Sequence, residues 1–110
     1  TELAEANRRR GDLERELLRR QIAARVKAAY WNAAAAQRLL SVWEEAVANF
    51  EQVVQFHEAR VREGAMAEVD LIRVQVERER LSIQAVAARL EAERTRIALY
   101  REMGQTEIGT

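Results

Sequence analysis

The chain has no cysteine, no proline, a single histidine and only four glycines among its 110 residues. Each scarcity removes a class of explanation. Without cysteine there is neither a disulfide framework nor a thiolate metal site. Without proline nothing locks φ or deletes a backbone donor, so long helices run uninterrupted. Two residues each of Trp, Tyr and Phe are too few for a deep globular core. Lys and Arg balance Asp and Glu at 18 each, which argues against a nucleic-acid binder, since those carry a basic excess. No apolar run approaches the roughly 20 residues that a membrane-spanning helix needs. One histidine and no cysteine leave no nucleophile–base pair, and no phosphate loop, dinucleotide fingerprint or HExxH occurs. The sequence therefore points to a chain that is not an enzyme, with no catalytic residue, cofactor or metal ligand.

What is abundant is Ala, Glu, Arg, Leu and Val, the composition of long helices and coiled coils. From Val26 onward, apolar positions keep a 3–4 spacing: Val26, Ala29, Ala33, Ala36, Leu40, Trp43, Val47, Phe50, Val54, His57, Val61. That is a heptad period held for about five repeats. A second row runs beside it through Leu39, Val42, Ala46, Val53 and Phe56, with Asn32 and Asn49 among its members. Upstream, Leu13, Leu17, Leu18 and Ile22 keep a helical pattern. Gly11 is unfavourable inside a helix by about 1 kcal/mol and marks a fray or a start, with Asp12 available as a cap.

Gly64 can take a left-handed conformation and close this first helix. Ala65 and Met66 make the turn, and Glu68 and Asp70 place negative charge in the first turn of the next helix, where the dipole favours it. Ala67 stands where a capping Ser or Asp would be expected. The second helix again carries two rows. One is Val69, Ile72, Val76, Glu79, Ile83, Val86, Leu90, Glu93, Ile97, Tyr100; the other is Leu71, Val74, Arg78, Leu81, Ala85, Ala88, Ala92, Thr95, Leu99. Glu79, Glu93 and Arg78 read as boundary residues with the stem on apolar surface and the charge in water. His57, on a seam, reads as a packed histidine.

The pattern predicts an all-α fold, a long antiparallel coiled-coil hairpin with unequal arms. The long helix covers about 2–62, the tip 63–67, a shorter helix about 67–103, and a tail 104–110 closed off by Gly104. A hairpin centred near Ala65 and Met66 puts Phe50 near Leu81, and Trp43 near Ala88. An indole against Ala85, Ala88 and Ala92 is the large-against-small matching of close packing. Residues 1–27 then overhang a second helix of ~55 Å by ~40 Å. Two rows per helix imply two neighbours per helix, so the hairpin is expected to be an excised piece of a larger array. Charge is uneven along it. Residues 1–27 hold eight basic against five acidic side chains, whereas residues 44–70 hold seven acidic ones against Arg60 and Arg62. The plain reading of both stretches is solvated helix faces.

Arg60, Val61, Arg62, Glu63 and Gly64, followed by Asp70, Leu71 and Ile72 with Val74 and Gln75, resemble the hairpin-tip signature of TolC-type outer-membrane efflux proteins. Ala29 and Tyr30, Leu39 and Leu40, and Gly104 extend the resemblance over nearly the whole chain. That family implies a trimer in which an outer-membrane β-barrel continues into a periplasmic tunnel of helices. Each protomer carries two repeats of a long helix, a tip and a shorter helix. The resemblance makes this chain one repeat's hairpin, a fragment of the α-helical barrel, with the form of Asp70, Leu71 and Ile72 closer to the first repeat. It implies the periplasmic portion of a Gram-negative outer-membrane protein, exporting small molecules or metal ions with a periplasmic adaptor and an inner-membrane pump. Arg62, Glu63, Gly64, Ala65, Met66 and Asp70 would form the adaptor-docking tip. Ala65 departs from the family's usual Leu and Ala67 from a frequent Ser. Two other readings fit the heptads. One is the helical hairpin of the adaptor itself, whose arms are usually equal. The other is a generic structural coiled coil, which needs no Gly-x5-Asp turn.

Overall fold

A computed structural model describes residues 1–108, with side chains as far as Gln105. Two helices account for almost all of it: α1, Glu2–Arg62, and α2, Glu68–Ile108. No strand occurs among the described residues. The chain is an all-α hairpin with arms of 61 and 41 residues.

α1 is continuous through Gly11. No cap forms there; Asp12 instead lies 4.0 Å from Arg15 on the same helix. The backbone has a left-handed φ only at Gly64, among the described residues, so Gly11 and Gly104 are ordinary helical residues. The expected stop at Gly104 is therefore wrong: α2 continues to Ile108. Glycine permits a left-handed exit without imposing one, and strong helix formers (Arg101, Glu102, Met103, Gln105) surround it. At about 1.5 Å per residue the continuation adds ~7.5 Å to the short arm.

The structure divides into two compact units. The first, Ala34–Arg94, contains the turn and holds the seam in its clearest form. Ala36, Leu40, Ala88 and Ala92 make one buried cluster, with Trp43 packed against it. The large residues of α1 thus meet alanines of α2, the size matching expected from the sequence. Val54 is fully buried, and Val47, Phe50, His57 and Val61 are half-buried. On α2, Ala85 is buried and Leu71, Val74, Arg78 and Leu81 are half-buried. Arg78 does not extend into water as expected of a boundary residue. Its Nη1 lies 3.3 Å from both carboxylate oxygens of Glu51 on the facing helix. This pair centres the hairpin between Gly64 and Ala65, a step earlier than the sequence suggests.

The second unit comprises Thr1–Ala33 with the chain from Thr95 onward. Ile22, Val26, Ala29 and Ala33 are half-buried on α1, while Thr95 is buried and Leu99 half-buried on α2. Before Ile22 every residue except Gly11 is exposed, so the uncovered stretch is shorter than 1–27. Leu3, Leu13, Leu17 and Leu18 remain exposed there.

Candidate functional site

The turn is built by backbone geometry. The Glu63 amide still donates to Ala59, completing the last α-helical bond at 3.0 Å. The Gly64 amide then donates to Val61 at 3.0 Å and the Ala65 amide to Arg60 at 2.9 Å. That bond pair with Gly64 at φ +75° is a Schellman closure, which satisfies carbonyls the helix would otherwise leave orphaned. α2 opens without a side-chain cap: Ala67 offers only its carbonyl, which accepts the Asp70 amide at 3.1 Å. Glu68 and Asp70 supply negative charge to that first turn.

The six tip residues fall on this one turn and its two flanks. Arg62 ends α1, and Glu63, Gly64 and Ala65 are exposed in the turn. Met66 is half-buried beneath them, and Asp70 is half-buried in the first turn of α2. The apex therefore presents small side chains and backbone, flanked by charges of both signs. Just above it lies a group that sequence reading did not single out. The Arg60 guanidinium sits 5.7 Å from the centre of the Phe56 ring, and His57 meets the same ring edge-on at 5.8 Å. The spacing of Phe56 and Arg60, one helical turn apart, was the available signal. His57 Nδ1 donates to the Val53 carbonyl at 2.7 Å, which fixes the ring against its own helix. Among the described residues no cluster of His, Cys, Asp and Glu is placed to hold a metal ion.

The other distinctive surface is lateral. On α1 the row beside the seam is exposed at Leu39, Val42, Val53 and Phe56. On α2 of the Ala34–Arg94 unit the exposed row is Val69, Ile72, Val76, Ile83, Val86 and Leu90; in the other unit Ile97 and Tyr100 are exposed. Each helix thus has one row turned inward and one left in water. No described helix is long and apolar enough to cross a membrane.

The hairpin thus has one seam closed internally and further apolar rows left exposed. The family model described as outer membrane efflux protein matches residues 1–105, nearly the full length. No curated protein and no solved structure matches the chain. The chain belongs to the outer membrane efflux protein family and is part of an efflux channel.

Proposed function

We propose that this hairpin is a stave of the periplasmic tunnel of a trimeric export channel, and that its Gly64 turn docks a periplasmic adaptor coupled to an inner-membrane pump. The observation that carries the reading is the pair of uncovered apolar rows. A lone two-helix coiled coil exposes no such rows, because its polar residues occupy the outer positions. A stave in a closed wall needs both, since it is flanked on two sides. Such contiguous apolar surface in a water-facing chain marks an interaction site.

The docking part of the proposal rests on the family resemblance of the tip and on its shape. The Schellman turn leaves Glu63, Gly64 and Ala65 exposed on a rigid apex, and rigidity lowers the entropy lost on binding. The acidic excess of residues 44–70 is an electrostatic complement to a basic adaptor tip. The cargo class is small molecules or metal ions. Binding of the cognate adaptor's hairpin to the intact channel tests the tip. Glu63→Arg and Ala65→Asp should each weaken it at least tenfold, or about 1.4 kcal/mol, with the helical content unchanged. Gly64→Pro should abolish it, because proline cannot adopt a φ of +75°. Unchanged affinity in both the Glu63 and Ala65 variants would remove the tip from the docking surface. The arms of 61 and 41 residues disfavour the adaptor-hairpin reading.

A further inference from the structure

We infer that the uncovered row of α2 is seated by the uncovered row of α1 from a second copy of this chain. The copy lies alongside with its turn at the same level, and Asn49 of one copy donates to Glu79 of the other. The inference rests on the stave reading for the direction of the copies, since staves of one wall run the same way. Levels within the Ala34–Arg94 unit follow from its own seam. Glu51 meets Arg78 across it, and Leu40 clusters with Ala88. Each step toward the turn on α1 therefore matches a step toward the turn on α2. Leu39 then stands level with Leu90, Ala46 with Ile83, Asn49 with Glu79 and Val53 with Val76.

The polar residues make the two rows partners for each other. Between Leu39 and Phe56 the α1 row has one polar member, Asn49, and between Ile72 and Leu90 the α2 row has one, Glu79. The two fall at one level. Both are exposed in the single chain, the Glu79 side chain by 68%. Seated against an aliphatic row, that carboxylate would lose its water, which is unfavourable without a hydrogen bond. The Asn49 amide supplies the donor, and a hydrogen bond to an ionised acceptor is among the stronger kinds. Size also matches, with Ala46 level with Ile83. One step further Glu93 stands level with Ala35, with Arg38 a turn away. A shift of the copies by one heptad sets Glu79 against Val42 or Phe56, and Asn49 against Ile72 or Val86. The row then offers the carboxylate no donor. A polar pair inside an apolar row is a device that fixes alignment. The contact of an α1 edge on an α2 edge is heterologous, so each added copy presents a fresh edge to the next.

Disulfide trapping between copies of the full chain reads the contact directly, because the native sequence has no cysteine. Leu39→Cys chains mixed with Leu90→Cys chains should oxidise mainly to the mixed dimer, since both positions are exposed and level. Leu39→Cys with Ile83→Cys is one heptad, about 10 Å, off level and should give little, because a disulfide needs Cα atoms within about 7 Å. Sedimentation equilibrium then tests the polar pair. Asn49→Asp, which sets two carboxylates together, should weaken association at least about tenfold, whereas Asn49→Lys should not weaken it. In a Glu79→Gln background the Asp and Lys variants should associate alike. Both positions are exposed, so circular dichroism should show unchanged helical content. An excess of the 39–39 or 90–90 dimer overturns the inference. So does an excess of the product of Val53→Cys with Leu90→Cys, which reports a stagger of two heptads. A chain that stays monomeric at millimolar concentration also overturns it, as does a contrast between Asp and Lys that survives Glu79→Gln. Adaptor binding at the tip of the intact channel is a separate readout, so the export reading and this inference fail separately.

Discussion

The two rows of α2 invert the usual order of a folded chain. Its covered row in the Ala34–Arg94 unit ends in Ala85, Ala88 and Ala92, while its uncovered row carries Ile83, Val86 and Leu90 at 65%, 55% and 63% exposure. Large aliphatic side chains ordinarily go inside. Here small residues line the internal seam, which lets α2 approach Leu40 and Trp43 closely, and the large ones face outward. The difference teaches that most of this helix's hydrophobic surface is reserved for something other than its own hairpin. On the proposed tunnel-wall role that something is the next helix.

Adjacent residues on α1 provide the sharpest way to break the comparison. Leu40 is 7% exposed and its neighbour Leu39 is 51% exposed. Leu40→Ala should cost about 2 kcal/mol or more, the lower end for removing a buried leucine. Leu39→Ala should change stability by no more than about 0.5 kcal/mol. Urea unfolding of the isolated chain at low concentration measures both. If the two substitutions prove equally costly, the outer row is already covered in solution and the contrast fails. At higher concentration a growing penalty for Leu39→Ala would instead show that row finding a partner by mass action.

The turn decides which row is inner, so its glycine should behave unlike the others. Gly64→Ala places a β-carbon on a residue with φ +75° and should cost about 1–2 kcal/mol. A β-carbon at Gly11 or Gly104 meets nothing within 4 Å, and both residues lie within helices. Gly11→Ala and Gly104→Ala should each stabilise the chain by up to about 1 kcal/mol. Thermal melts of the three variants form a matched series. A destabilised Gly104→Ala would mean that α2 ends at that residue in solution.

Much of this arrangement is legible in the sequence, for identifiable reasons. Heptad spacing gives two rows per helix, and Trp43 needs small partners, so the alanine row of α2 is the one that turns inward. Gly64 stands out because only a left-handed residue closes a Schellman turn without strain. Other features have no local signature. Gly104 looks like a stop, yet a helix ends there only if something outside rewards the exit. Arg78 looks like a solvated boundary residue because its partner, Glu51, is 27 positions away and no periodicity points to it. The Phe56, His57 and Arg60 group is hidden in the same way, since each residue has an ordinary helical explanation taken singly. Docking at the tip is legible only through family resemblance, because exposed backbone and alanines carry no chemistry of their own.

The weakest expected effect contrasts the two charge pairs. Glu51–Arg78 bridges the helices, whereas Glu91 and Arg94 lie three residues apart on the surface of α2, joined by hydrogen bonds of 2.6 and 2.9 Å. The hydrogen bond from Arg94 holds the Glu91 carboxyl below its ordinary value, and the same bond raises the Arg94 guanidinium. A carboxyl lowered on folding contributes stability above its unfolded pKa and loses that contribution as pH falls through the folded one. Acidification below the usual glutamate range should therefore remove whatever this pair adds. The sum should be undetectable in a melt, because both groups are in water and screened by salt. Carboxyl NMR titration can see it where calorimetry cannot. Glu91 should titrate below a free glutamate, and Arg94→Ala should move it back up. If Arg94→Ala leaves the Glu91 titration where it was, the hydrogen bond is not what lowers it, and the surface pair is looser than its distances indicate.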